Sequence, residues 1–95
     1  VASPKPKHIC DISLVESLSS NGTIVIAGGG GGVPVVRNSQ GLRSGVEAVI
    51  DKDLTTAHMA NVLGFKHIMI LTAVSHVAIN FGKPEQHELK QITVS

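Results

Sequence analysis

The sequence predicts an α/β fold, and three observations carry that expectation. Segments with helical spacing alternate with aliphatic, β-branched runs in the order helix, strand, helix, strand, which is half of an α/β sandwich. The two strongest runs, "TIVIA" at residues 23–27 and "HIMILT" at 67–72, lack the alternation of a half-exposed strand. They read instead as strands buried on both faces of a parallel sheet. The apolar fraction of 42% is almost wholly aliphatic, with two Phe and no Trp or Tyr, which suits a buried sheet covered by helices. At 95 residues the chain is at most one small domain with one modest core, and it contains no internal repeat.

In chain order, "VASPKPKH" is Pro-rich and reads as an extended connector. "DISLVESLSS" follows with Ile12, Val15 and Leu18 at helical spacing; Ser13 and Glu16 have the form of a capping box, and Asn21 with Gly22 ends the helix. "TIVIA" runs directly into five glycines, Gly28 to Gly32. "PVVRNSQGLRS" predicts a short strand and a turn near Asn38 to Gly41, and "GVEAVI" is again extended. A second helix follows, with Asp53 as its expected N-cap, Leu54, Ala57, Met59, Ala60 and Leu63 as apolar positions, and Gly64 closing it. After "HIMILT" come "HVAIN", a turn at Gly82 to Pro84, and a short polar helix expected over residues 85–90. The runs at 23–27 and 67–72 are expected to be parallel neighbours, because the connection between them holds a helix long enough for a right-handed crossover.

Composition narrows the function classes. Net charge is +1 and the basic residues are scattered, so no nucleic-acid footprint is present, and the near-absence of aromatics removes base-stacking platforms. No apolar run is long enough to span a membrane, so small molecules or protein are the expected partners. A single Cys10 fits a reducing compartment. The five histidines lack metal-ligand spacing, Met59 and Met69 fall on apolar positions expected in the core, and Ser13, Ser19 and Ser20 sit in no nucleophile elbow.

Two stretches carry chemistry. Five consecutive glycines are costly to order, so an ordered run needs a reason for bare backbone. One reading is a flexible linker; the other is a loop whose N–H groups receive an anionic group, as phosphate-binding loops do. The flanks "IVIA" and "VPVV" are unlike linker sequence, and neither a Walker A loop nor a dinucleotide fingerprint is present. In "AVIDKDL", Asp51 and Asp53 flank Lys52 at the mouth of a helix. That is either a solvated turn with Asp53 capping, or a lysine whose charge is held by two carboxylates and offered to a transferring phosphoryl group.

The blocks "VASPKP", "GTIVIAGGGGGVPVV", "GVEAVIDKDL" and "ILTAVSHVAINFGKPEQHELKQITV" resemble, in order and spacing, the middle and later part of the carbamate kinases, members of the amino acid kinase family. The resemblance implies a three-layer α/β/α sandwich with a mainly parallel sheet, of which residues 1–95 form a part. It also implies reversible phosphoryl transfer between ATP and carbamate, with carbamoyl phosphate and ADP giving ATP, in a cytoplasmic enzyme of arginine metabolism. Mg²⁺ would arrive with the nucleotide, and the full-length protein would be a homodimer. Lys52 and Asp53 then match catalytic positions; Gly29, Gly30, Gly31, Gly32 and Asp51 match the substrate and phosphate side; Thr72, Ala73, Val74, Ser75 and Val77 match the nucleotide-lining segment. Two positions depart from the pattern and bear on nucleotide affinity: Ser75, where the family usually has Asp, and Ala78, where an aromatic is common. A full carbamate kinase is roughly three times this length. The chain is therefore expected to be a piece of a longer protein, lacking a second glycine loop and further lysines, and inactive by itself.

Overall fold

The structure is a computed structural model that describes residues 1–93; the end of the last resemblance block, at Val94, lies outside the described residues. Helix α1 spans Ile12–Ser20. Asp11 occupies the N-cap position without a side-chain cap bond, its carbonyl accepting from the N–H groups of Leu14 and Val15 at 3.1 Å. The expected capping box of Ser13 and Glu16 is therefore not formed, because the helix starts early enough to put Ser13 inside its first turn. Its end is as read from the sequence. Gly22 takes φ +84°, and the N–H groups of Gly22 and Thr23 return to the carbonyls of Ser19 and Leu18, the Schellman arrangement.

Helix α2 spans Lys52–Leu63, and its N-cap is Asp51 rather than the expected Asp53. Asp51 is still extended, with φ −67° and ψ 127°, and its Oδ1 accepts from Asp53 N–H at 2.8 Å and Leu54 N–H at 3.1 Å. Both acids have capping chemistry, but only the one preceding the helical dihedrals can reach back to the first turn. Asp53 falls inside that turn, where its negative charge meets the positive end of the helix. Gly64, at φ +72°, closes the helix.

Among the described residues the sheets are two antiparallel hairpins. Strands β1 (Val35–Arg37) and β2 (Arg43–Gly45) pair with Val36 opposite Ser44. The turn between them is the one expected: Asn38 Oδ1 accepts from the N–H groups of Gln40 and Leu42, each at 2.9 Å. Strands β3 (Val77–Ile79) and β4 (His87–Leu89) pair with Ala78 opposite Glu88. Strand β4 replaces the helix expected over residues 85–90. So short a helix has little stability of its own, whereas Gln86 Oε1 accepts from Gly82 N–H at 3.1 Å, a bond that ties the turn and lets the polar segment pair with β3.

The expected parallel pairing of residues 23–27 with 67–72 is not formed; neither run is hydrogen-bonded into a sheet among the described residues. The burial that such a pairing requires is not found: residues 67–72 are exposed throughout and, of residues 23–27, only Val25 is partly buried. Val25 is half-buried towards the helices while Ile24 and Ile26 are 93% and 97% exposed, so one face of that run packs and the other is bare. Met69, expected in the core, is 85% exposed. The parallel contact the structure does contain is an isolated bridge between Ala2 and Ala48.

Among the described residues few are buried: Val15 on α1, Thr55 and Ala60 on α2, and Gly31 between residues 23–27 and β1. The accessible surface is 8196 Å². A self-contained folded chain of this mass would expose about 5200 Å². The radius of gyration of 16.5 Å likewise exceeds the roughly 12 Å of a compact domain of this length. The three-layer sandwich is thus not completed by these residues, and the ordered centre of the fold is the place where the glycine run meets α2.

Candidate functional site

The glycine run is held, not slack. Gly28, Gly29, Gly31 and Gly32 all take positive φ, a region where a Cβ is strained, and Gly31 N–H donates to Gly28 O at 2.7 Å to close a tight turn. Gly31 is the tightest point. It is buried, and a Cβ built there would overlap the carbonyl oxygen of Ile50, the residue just before the α2 cap. The Thr55 hydroxyl donates to Gly31 O at 2.8 Å, with the Asp51 carbonyl a longer alternative at 3.2 Å. Gly30 behaves differently: its φ lies outside the left-handed region and a Cβ there meets nothing within 4 Å. The fold thus requires bare backbone at Gly31, which lies against protein, and not at Gly30, which faces open space.

This arrangement leaves donors free. Among the described residues the N–H groups of Gly29, Gly30 and Gly32 have no protein acceptor. Of these three, Gly29 lines a cleft of about 240 Å³ together with Val25, Gly28, Lys52, Thr55 and Met59, among others. Lys52 is the one cation at this cleft, and among the described residues it makes no ion pair. The sequence-level picture of two carboxylates holding the lysine is therefore altered, since Asp51 is engaged with the helix cap and Asp53 pairs with no cation. A free ammonium, the free Gly29 amide N–H and the positive end of α2 at one cleft form an environment suited to an anion.

The candidate residues divide accordingly. Gly29 and Lys52 line one cleft, Gly31 packs against the residues before α2, and Asp51 and Asp53 occupy the start of that helix. Thr72, Ala73, Val74 and Ser75 are exposed in the stretch before β3, Val77 opens β3, and none of them lines that cleft. Near them His76 Nδ1 lies 3.4 Å from Glu88 Oε2, which links this stretch to β4. Thr55 is the residue that sequence reasoning missed. Only its place one helical turn after Asp51 could have marked it, and that signal does not say that a glycine carbonyl lies opposite.

A sequence profile described as the amino acid kinase family matches residues 2–95. Among curated proteins, the chain is 49% identical over 94 residues to a carbamate kinase of Staphylococcus haemolyticus, covering 99% of this chain and 30% of that protein. It is 44% identical over 95 residues to a carbamate kinase-like protein of Escherichia coli, covering 100% of this chain and 30% of that protein. Among solved structures, carbamate kinase from Giardia lamblia bound to AMP-PNP superposes with a TM-score of 0.84 at 42% identity, over 94% of this chain and 28% of that one. The chain thus spans about 30% of the length of the curated relatives it matches.

Proposed function

The chain belongs to the amino acid kinase family, and from that premise we propose that it contributes the phosphoryl-handling part of a carbamate kinase, which moves a phosphoryl group reversibly between carbamoyl phosphate and ADP. The observation that carries the reading is the anion-suited cleft: the unpartnered Gly29 N–H beside Lys52 at the start of α2. In the ATP-forming direction a β-phosphate oxygen of ADP attacks the phosphorus of carbamoyl phosphate. The bond from phosphorus to the carbamoyl oxygen breaks, and carbamate leaves as the anion. Lys52 neutralises charge on the moving group, the free N–H groups of Gly29, Gly30 and Gly32 bind its oxygens, and Asp53 positions the lysine's end of α2. Asp51 acts through the helix: by capping α2 it fixes where Lys52 begins.

In this proposal residues 72–77 form part of the nucleotide side; that there is a nucleotide side is supported by the AMP-PNP bound to the similar Giardia protein. Mg²⁺ would enter with the nucleotide phosphates, because no group of three or more His, Cys, Asp or Glu comes together among the described residues, whereas the phosphates supply hard oxygen ligands. When bound, it offsets negative charge on the phosphates. The bare faces at Ile24, Ile26 and Met69 are covered, in this proposal, by the remainder of a family-length three-layer α/β/α sandwich whose sheet is mainly parallel. Such a protein would work as a cytoplasmic homodimer. No helix among the described residues is long and apolar enough to cross a membrane.

Ser75 and Ala78 favour one competing reading, a protein that binds nucleotide without turning it over. Incubating the complete gene product with carbamoyl phosphate and ADP separates the two. ATP formation supports the kinase, and nucleotide binding without ATP formation supports the non-catalytic protein.

A further inference from the structure

The one buried polar side chain at the site is that of Thr55, which is 5% exposed. Its hydroxyl carries a single proton, and the shorter of its two contacts is to Gly31 O at 2.8 Å, between residues 24 positions apart. No cis peptide is present among the described residues, so the peptide joining Gly31 to Gly32 is trans. In a trans peptide the carbonyl and the following N–H point in opposite directions. Holding Gly31 O on Thr55 therefore turns the Gly32 N–H away from α2 and leaves it without a protein partner.

Among the described residues no other hydrogen bond holds the Gly31 carbonyl. Gly31 and Gly32 both take positive φ and carry no Cβ, so no side chain of their own selects between the two orientations of the peptide between them. A rotated peptide would exchange the outward N–H donor for an outward carbonyl oxygen. For an anionic ligand that exchange replaces attraction with repulsion. We infer that Thr55 is a positioning residue, one that selects the donor-outward state of the Gly31–Gly32 peptide and so sets the loop for a phosphoryl oxygen. The inference rests on the phosphoryl-transfer reading for its consequence in turnover, but not for its consequence in anion binding.

The test uses the complete gene product labelled with ¹⁵N-glycine, titrated with inorganic phosphate, with Thr55→Val and Thr55→Ser compared to the parent. Phosphate is expected to shift the Gly32 amide signal in the parent and in Thr55→Ser, which keeps the hydroxyl, and to leave it unmoved in Thr55→Val. With carbamoyl phosphate and ADP, Thr55→Val should lower kcat by about tenfold or more while KM for ADP stays near the parental value, and Thr55→Ser should restore kcat. Thr55→Ala, which improves helix propensity, replaces Thr55→Val should the latter fail to fold. A folded Thr55→Val or Thr55→Ala protein with the parental phosphate response overturns the inference, as does a parent whose Gly32 amide ignores phosphate. A parent that shows the amide shift, loses it on removing the hydroxyl, yet makes no ATP leaves Thr55 as assigned and removes the kinase reading instead.

Discussion

Gly31→Ala and Gly30→Ala, adjacent and chemically identical changes, should have opposite effects on stability. At Gly31 the new methyl group enters a backbone with φ +116° and overlaps the Ile50 carbonyl oxygen, with the Ile50 and Asp51 carbonyl carbons also close. Holding an L-residue at such a φ costs about 1–2 kcal/mol. Relieving the overlap means shifting backbone, about 1–3 kcal/mol by analogy with overpacked cores. Moving the loop off α2 also breaks the Thr55 hydroxyl bond and leaves a buried carbonyl unpaired, about 1–3 kcal/mol. The smaller unfolded-state entropy of Ala returns about 0.4–1 kcal/mol, so the net loss should be about 2–7.5 kcal/mol. At Gly30 none of the penalties applies, and Ala should be neutral or stabilising by about 0.4–1 kcal/mol. Urea unfolding of the complete gene product, followed by circular dichroism, measures both. Within experimental error of the parent at Gly31, or a loss above about 1 kcal/mol at Gly30, would show that the loop does not close on α2 as described.

Function should divide the same two glycines the other way round. Gly30→Val, on the open side of the loop, should keep the fold and raise the apparent KM for carbamoyl phosphate; unchanged kinetics would make the run a mere turn. Asp51→Ala should lose about 1 kcal/mol of stability in thermal melts while Asp51→Asn, an equally good cap, loses less than about 0.5 kcal/mol; equal losses would mean that the cap is not what Asp51 supplies. The isolated 95-residue chain, which exposes 8196 Å², should show weak protection in hydrogen exchange and form no ATP from carbamoyl phosphate and ADP. Cooperative unfolding with turnover in that chain would mean the active site is smaller than proposed.

The elements governed by local chemistry were legible in the sequence. Gly22 and Gly64 end helices, and Asn38 builds a turn, because each acts through its own backbone and neighbours. Caps were less legible where two candidates stood close together: Asp51 and Asp53 differ only in which one precedes the helical dihedrals. Residues 85–90 were misread because a polar stretch has no strong preference and a neighbouring strand decided it. The parallel pairing of 23–27 with 67–72 depends on long-range cover, which periodicity signals only as apolarity. The glycine run announced a site but not its geometry. That Gly31 meets α2 and Thr55 receives its carbonyl depends on two segments coming together across the fold, and neither segment alone encodes the distance.

Lys52 is where the account is most exposed to a single measurement. If its ammonium group stabilises the phosphoryl group in transit, its removal should act on the transition state more than on bound substrates. Initial rates of ATP formation from carbamoyl phosphate and ADP, measured on the complete gene product with Lys52 replaced by Met, give kcat and both KM values. The account predicts a kcat lower by about a hundredfold or more, with KM values changed by much less. A near-parental kcat would place Lys52 outside the chemistry and contradict the phosphoryl-handling role of the cleft.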